Sequence, residues 1–125
     1  MATNIKSPML TVGIETVTIS GSFVNPGAAL TSVKGKGFTA TRTSAGLITV
    51  VLNQKYNALI AGRADIQPVT PPSKFEAQVS AALTTNDTFT ITQYDGSSGA
   101  PAAADAGATD RTSFTVLLST SSVNA

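Results

Sequence analysis

Apolar and hydroxyl-bearing side chains alternate with a period of two along most of this chain, and the 3.6-residue spacing of an amphipathic helix is nearly absent. Such a pattern puts one set of side chains on each face of an extended strand, so it restricts the chain to an all-β fold. Leu10, Val12 and Ile14 share one face, and Val17 and Ile19 continue after a shift of register at Glu15 and Thr16 that a β-bulge would produce. Phe38, Ala40 and Arg42 alternate with Thr39, Thr41 and Thr43, while Phe75, Ala77, Val79, Ala81 and Leu83 alternate without a break. Phe89 and Ile91 oppose Thr88, Thr90, Thr92 and Tyr94, and Phe114, Val116 and Leu118 form the inward set of a last strand over Arg111 to Ser119.

Turn chemistry separates these runs. Ser22-Phe23-Val24 extends the first region until Asn25-Pro26-Gly27 ends it, because Pro presets φ at one corner and Gly tolerates positive φ at the next. Gly35-Lys36-Gly37 bends the chain into Phe38, and Ser44-Ala45-Gly46 reverses it into Leu47-Ile48-Thr49-Val50-Val51-Leu52 as a hairpin. Thr85-Asn86-Asp87 makes a second hairpin. Asn57 to Ile66 fits a short helix or a strand with a bulge at Gly62, and the strand reading is preferred. Pro68, Pro71 and Pro72 donate no amide hydrogen, so residues 67–72 are expected to be a rigid extended connection.

Residues 95–110 are rich in Gly, Ala and Ser and poor in large apolar groups, which predicts a long exposed loop and a candidate contact arm. With 125 residues, the chain is expected to form one domain of about eight antiparallel strands, a β-sandwich or a jelly-roll-like closure. An N-terminal arm over 1–8 and a short tail over 120–125 flank it.

Composition removes several chemistries. The chain has no Cys and no His, so disulfides, thiolate sites, Ser-His-Asp catalysis and imidazole metal ligation are excluded. Carboxylate-pair catalysis would need two of seven acids to converge, yet five of them sit at predicted turns, loops or strand ends. Asp95, Asp105 and Asp110 could in principle wrap a hard cation, but their spacing matches no calcium-loop pattern, so no metal and no cofactor are expected. Eight basic residues against seven acidic ones give a net charge of +1 without a basic cluster, which argues against nucleic-acid binding. No apolar run approaches the ~18 residues of a membrane span and Met1 to Met9 hold no apolar leader core, so a soluble protein without membrane association is expected. A small-molecule substrate and an enzymatic role are likewise not expected.

Charged residues make up 12% of the chain, about half the roughly 25% of an average domain. Hydroxyl groups therefore replace ions on the solvent faces, as the Thr39/Thr41/Thr43 and Thr88/Thr90/Thr92 rows show. With few Lys to blunt them, strand edges beside such faces are free to pair with another chain. Arg42 occupies the apolar register of Phe38 and Ala40, so it needs a carboxylate or carbonyl partner, a wet position at a sheet edge, or a subunit contact.

Several segments resemble small virion proteins of tailed bacteriophages, the capsid cement or decoration proteins. The resemblance is carried by Gly21-Ser22-Phe23-Val24, by Lys36-Gly37-Phe38 with Thr41-Arg42-Thr43, and by Gly46-Leu47-Ile48-Thr49-Val50. Lys55-Tyr56 with Ala58-Leu59, Phe75-Glu76-Ala77-Gln78-Val79, Asp110-Arg111-Thr112-Ser113-Phe114 and Ser121-Ser122-Val123 continue it over most of the chain. Thr112-Ser113 stands where such proteins often carry Val-Asn. The resemblance implies a non-enzymatic structural protein on the outer capsid surface, made in the host cytoplasm, that binds the major capsid protein as a homotrimer and staples neighbouring capsomers. Arg42, Tyr56, Arg63, Tyr94, Asp95, Asp110 and Arg111 are the candidate contact residues. The competing reading is a tail or head fibre β-domain that binds host glycan by stacking sugars on Tyr56, Tyr94 and Phe23.

Overall fold

The alternating segments fold as strands whose apolar faces meet. The computed structural model describes residues 15–97, 99 and 101–120, and among these are eight strands and no helix. They are β1 (Thr16–Asn25), β2 (Thr31–Gly35), β3 (Phe38–Ser44), β4 (Leu47–Leu52), β5 (Ala58–Gln67), β6 (Phe75–Val79), β7 (Thr88–Asp95) and β8 (Gly107–Ser119). Two four-stranded antiparallel sheets result, in the orders β2-β1-β8-β5 and β3-β4-β7-β6, and their inner faces pack as a β-sandwich.

The core lies between the sheets and is centred on Phe114. Its ring centroid stands 5.0 Å from Phe38, 5.8 Å from Phe89 and 6.5 Å from Phe23, with the first two pairs close to edge-on. Edge-to-face contacts of this kind add roughly 0.5–1.5 kcal/mol each beyond the apolar area they bury. Ile48, Val50, Ile91, Val116 and Leu118 fill the same layer and are fully buried. Gly21 occupies the inward register of β1 between Ile19 and Phe23 because the Phe38 ring takes the space of a side chain; a Cβ there would meet Phe38 Cε1 at 2.6 Å.

The structure departs from the sequence reading in four places. Strand β2, exposed at every residue, carries no apolar alternation and was not foreseen. Strand β6 stops at Val79, since Ala81 and Ala82 turn out to solvent before the Thr84–Thr88 bridge. The bulge in β5 lies between Leu59 and Ala61, whereas Gly62 keeps its register opposite Val116. Glycine is needed at 62 for a different reason, because a Cβ would stand 2.9 Å from Val79 Cγ1 of the facing sheet. Last, the second half of the 95–110 stretch is not a free loop: Ala103 bridges Tyr94, the Ala104 N–H donates to Gln93 O at 3.0 Å, Ala106 is buried, and β8 has begun by Gly107. Leu10, Val12, Ile14, the arm over 1–8 and the tail beyond Thr120 lie outside the described residues, as does the upstream side of the bulge expected at Glu15.

Candidate protein-contact surfaces

One end of the sandwich is held by a chain of polar groups that begins at Arg42. The inward register of β3 points its guanidinium between the sheets, where a carboxylate partner is required. Asp105 supplies it: Arg42 Nε donates to Oδ1 at 3.0 Å and Nη2 to Oδ2 at 2.9 Å. Asp105 Oδ1 also accepts from the Gly46 N–H and from Asn25 Nδ2, both at 2.8 Å. Asn25 Nδ2 donates in addition to Gln93 Oε1 at 2.7 Å, Gln93 Nε2 donates to the Thr112 hydroxyl, and the Ala106 N–H donates to Gln93 Oε1 at 3.3 Å. Asn25, Gln93 and Thr112 are fully buried, and no buried side-chain nitrogen or oxygen among the described residues lacks a partner.

The Arg42 hydrogen bonds are the largest influence on Asp105; with help from Gly46 and Asn25 they outweigh the opposing effect of burial and hold its carboxyl down at about 2. The arrangement ties β1, β3, β7 and β8 to the segment that returns over residues 103–106. Its acceptors are occupied, so its role is to fix shape. Gly46 marks the closest approach: it takes φ +71°, and a Cβ would clash with Ala104 N and stand 2.5 Å from Gln93 O.

The seven candidate contact residues do not gather in one place. Arg42 is half-buried and engaged with Asp105. Tyr56 is a correction: it is buried in the core, its hydroxyl accepts from Gln54 Nε2 at 3.0 Å, and it has no free face to offer. Arg63 is exposed on β5 beside Asp65, with 3.6 Å between Nη2 and Oδ2. Tyr94 is half-buried; its hydroxyl donates to Glu76 Oε1 at 3.2 Å and accepts from Gln78 at 3.3 Å, and burial first, then Glu76, raises its pKa. Asp95 accepts from the Ser97 N–H at 2.9 Å and Ser97 Oγ at 2.6 Å, with Lys74 at 3.5 Å, and these bonds lower its pKa. Asp110 accepts from the Val69 N–H at 3.1 Å, and Arg111 donates to Ser22 Oγ at 2.7 Å and to Ser32 O at 3.2 Å. Asp95, Asp105 and Asp110 thus hold three separate loops, and among the described residues no three acids converge to hold a metal ion.

The surfaces left open are the two outer sheet faces and the sheet edges. The outer face of the second sheet sets Thr41, Thr49 and Thr90 in one cross-strand row, with Thr39 and Thr88 flanking Val51 in the next. The outer face of the first carries Ser20 against Thr115 at 3.1 Å. Where β5 and β6 flank the same side of the sandwich, an open groove of about 360 Å³ runs between Gly62–Asp65 and Ala77–Val79. Asn25, Gln93 and the open β5 edge were not singled out by sequence; the inward register of Gln93 after Phe89 and Ile91 was the available signal. Compared with known proteins, the chain matches no family model, no curated protein and no solved structure.

Proposed function

We propose that this chain is a virion structural protein, a cement or decoration protein that stabilises the head of a tailed bacteriophage by binding its outer surface. Its partners on this reading are the major capsid protein and further copies of itself. The observation that carries the reading is the division of labour among its polar groups. Asp87, Asp95, Asp105 and Asp110 turn to loop backbone or to neighbouring side chains, while the outer face of the second sheet presents rows of uncharged Thr hydroxyls over a rigid aromatic core. A surface of that kind suits permanent contact of modest strength, repeated over many sites until the sum is strong. The sequence resemblance to cement proteins supplies the setting. A glycan-binding fibre domain is disfavoured because stacking needs open rings, and Phe23 and Tyr56 are buried.

The test compares heads assembled with and without the chain. Heads lacking it should rupture at lower temperature and at low ionic strength, and adding purified protein should restore them. Equal survival of both kinds of head contradicts the proposal.

A further inference from the structure

Strand β5 is paired by β8 on one side, and among the described residues no strand pairs the other. Edges of this kind are commonly blunted by Pro, Lys, a short length or a covering loop. β5 has ten residues and contains neither Pro nor Lys, and its bulge between Leu59 and Ala61 lies near one end, leaving Ala61 to Gln67 in regular register. Its outward side chains are Ala61, Arg63, Asp65 and Gln67, and its inward ones are Gly62, Ala64 and Ile66, opposite Val116, Phe114 and Thr112.

We propose that β5 pairs antiparallel with β5 of a second copy about a two-fold axis at Ala64, joining two four-stranded sheets into one of eight strands. The strand's own charges select that register. Centred on Ala64, Arg63 of each copy faces Asp65 of the other, so two opposite-charge pairs form on the same face. Centring on Arg63 would oppose Arg63 to itself, and centring on Asp65 would oppose Asp65 to itself. A slip of one residue would set outward side chains against inward ones. Within a single chain the two side chains form one exposed pair at 3.6 Å, 78% and 62% open to solvent, and can exchange it for two pairs across the interface. Past Ala61, where the bulge interrupts the register, Ile60 comes near the Pro68–Val69 end of the second copy's strand. Ile60 and Val69, 47% and 72% exposed, are two of the four large apolar side chains that the described residues leave open. One symmetric contact covers both. The assembly is a dimer, in place of the trimer that the resemblance implies, and it stands independently of capsid binding.

Sedimentation equilibrium of the full chain tests it. Wild type should reach twice the 12.7 kDa chain mass. Arg63→Asp and Asp65→Arg each place like charges opposite one another twice in the interface, and each should weaken the dimer about tenfold or more. The double variant, Arg63→Asp with Asp65→Arg, restores opposite pairing and should restore the dimer. Circular dichroism and melting temperature report that each variant remains folded. A monomeric or three-chain mass for wild type, single reversals that leave association unchanged, or a double variant that stays as weak as the singles would each overturn the proposal. A monomer that still binds heads overturns the pairing alone and leaves the capsid reading intact.

Discussion

Arg42 and Asp105 meet in a two-pronged ion pair, at 3.0 and 2.9 Å, across 63 positions of sequence. The pair joins the strand that opens the second sheet to the segment that leads into β8, and it sits over a buried Asn25–Gln93–Thr112 chain. Arginine is suited to this place because its planar fork matches both carboxylate oxygens at once.

Removing one partner should therefore cost more than the pair is worth. Asp105→Ala leaves a half-buried guanidinium, the Gly46 N–H and Asn25 short of an acceptor, and should destabilise the fold by about 1–3 kcal/mol. In a double-mutant cycle with Arg42→Ala, measured by urea unfolding, the two losses should fail to add by about 0.5–3 kcal/mol. A coupling indistinguishable from zero contradicts the role assigned to the pair.

Acid should loosen the same end. The folded Asp105 carboxyl is held at about 2, below its ordinary 3.8, so the ionised form favours the folded state. Its stabilisation is complete above the unfolded value and fades as pH falls from about 4 toward 2. Asp87 and Asp95 are also lowered, the first chiefly by the Thr85 and Thr88 hydroxyls and the second by Ser97, and act in the same direction. The urea midpoint should fall through this window, and Asp105→Asn should flatten that fall.

Gly46→Ala tests the close approach of three segments. The substitution must adopt positive φ and push Ala104 and Gln93 aside, so it should cost at least ~1 kcal/mol. Limited proteolysis should then cut faster within residues 96–103 than in wild type.

Core and surface should respond very differently. Phe114→Ala removes the ring that three other phenylalanines share and should cost about 3–5 kcal/mol, a large part of a domain's stability. Thr90→Val on the outer face should change the melting temperature little, within about 0.5 kcal/mol. Tyr56→Ala belongs with the first of these because the ring is buried, and its loss should appear as instability.

Much of this fold was legible because inward positions of β4, β7 and β8 carry large apolar residues at successive alternate places, and Gly46 marks the reversal between β3 and β4. Strand β2 was hidden, since an edge strand exposed at every residue needs no apolar face. The Ala103–Ala106 return was hidden too: small side chains permit close backbone approach, yet in composition they look like a loop. Arg42 announced that it needed a partner, but a partner 63 residues away leaves no local pattern. Nor could alternation reveal which strands would end a sheet, and so the open edge of β5 emerges only from the sheet order.

The central claim, that the chain works by attaching to a capsid, is tested most directly by locating it in an electron-microscopy map of the intact particle. The account predicts sandwich-shaped density repeated over the outer shell and touching the shell protein. Density confined to the tail, or a shell without such density, contradicts it.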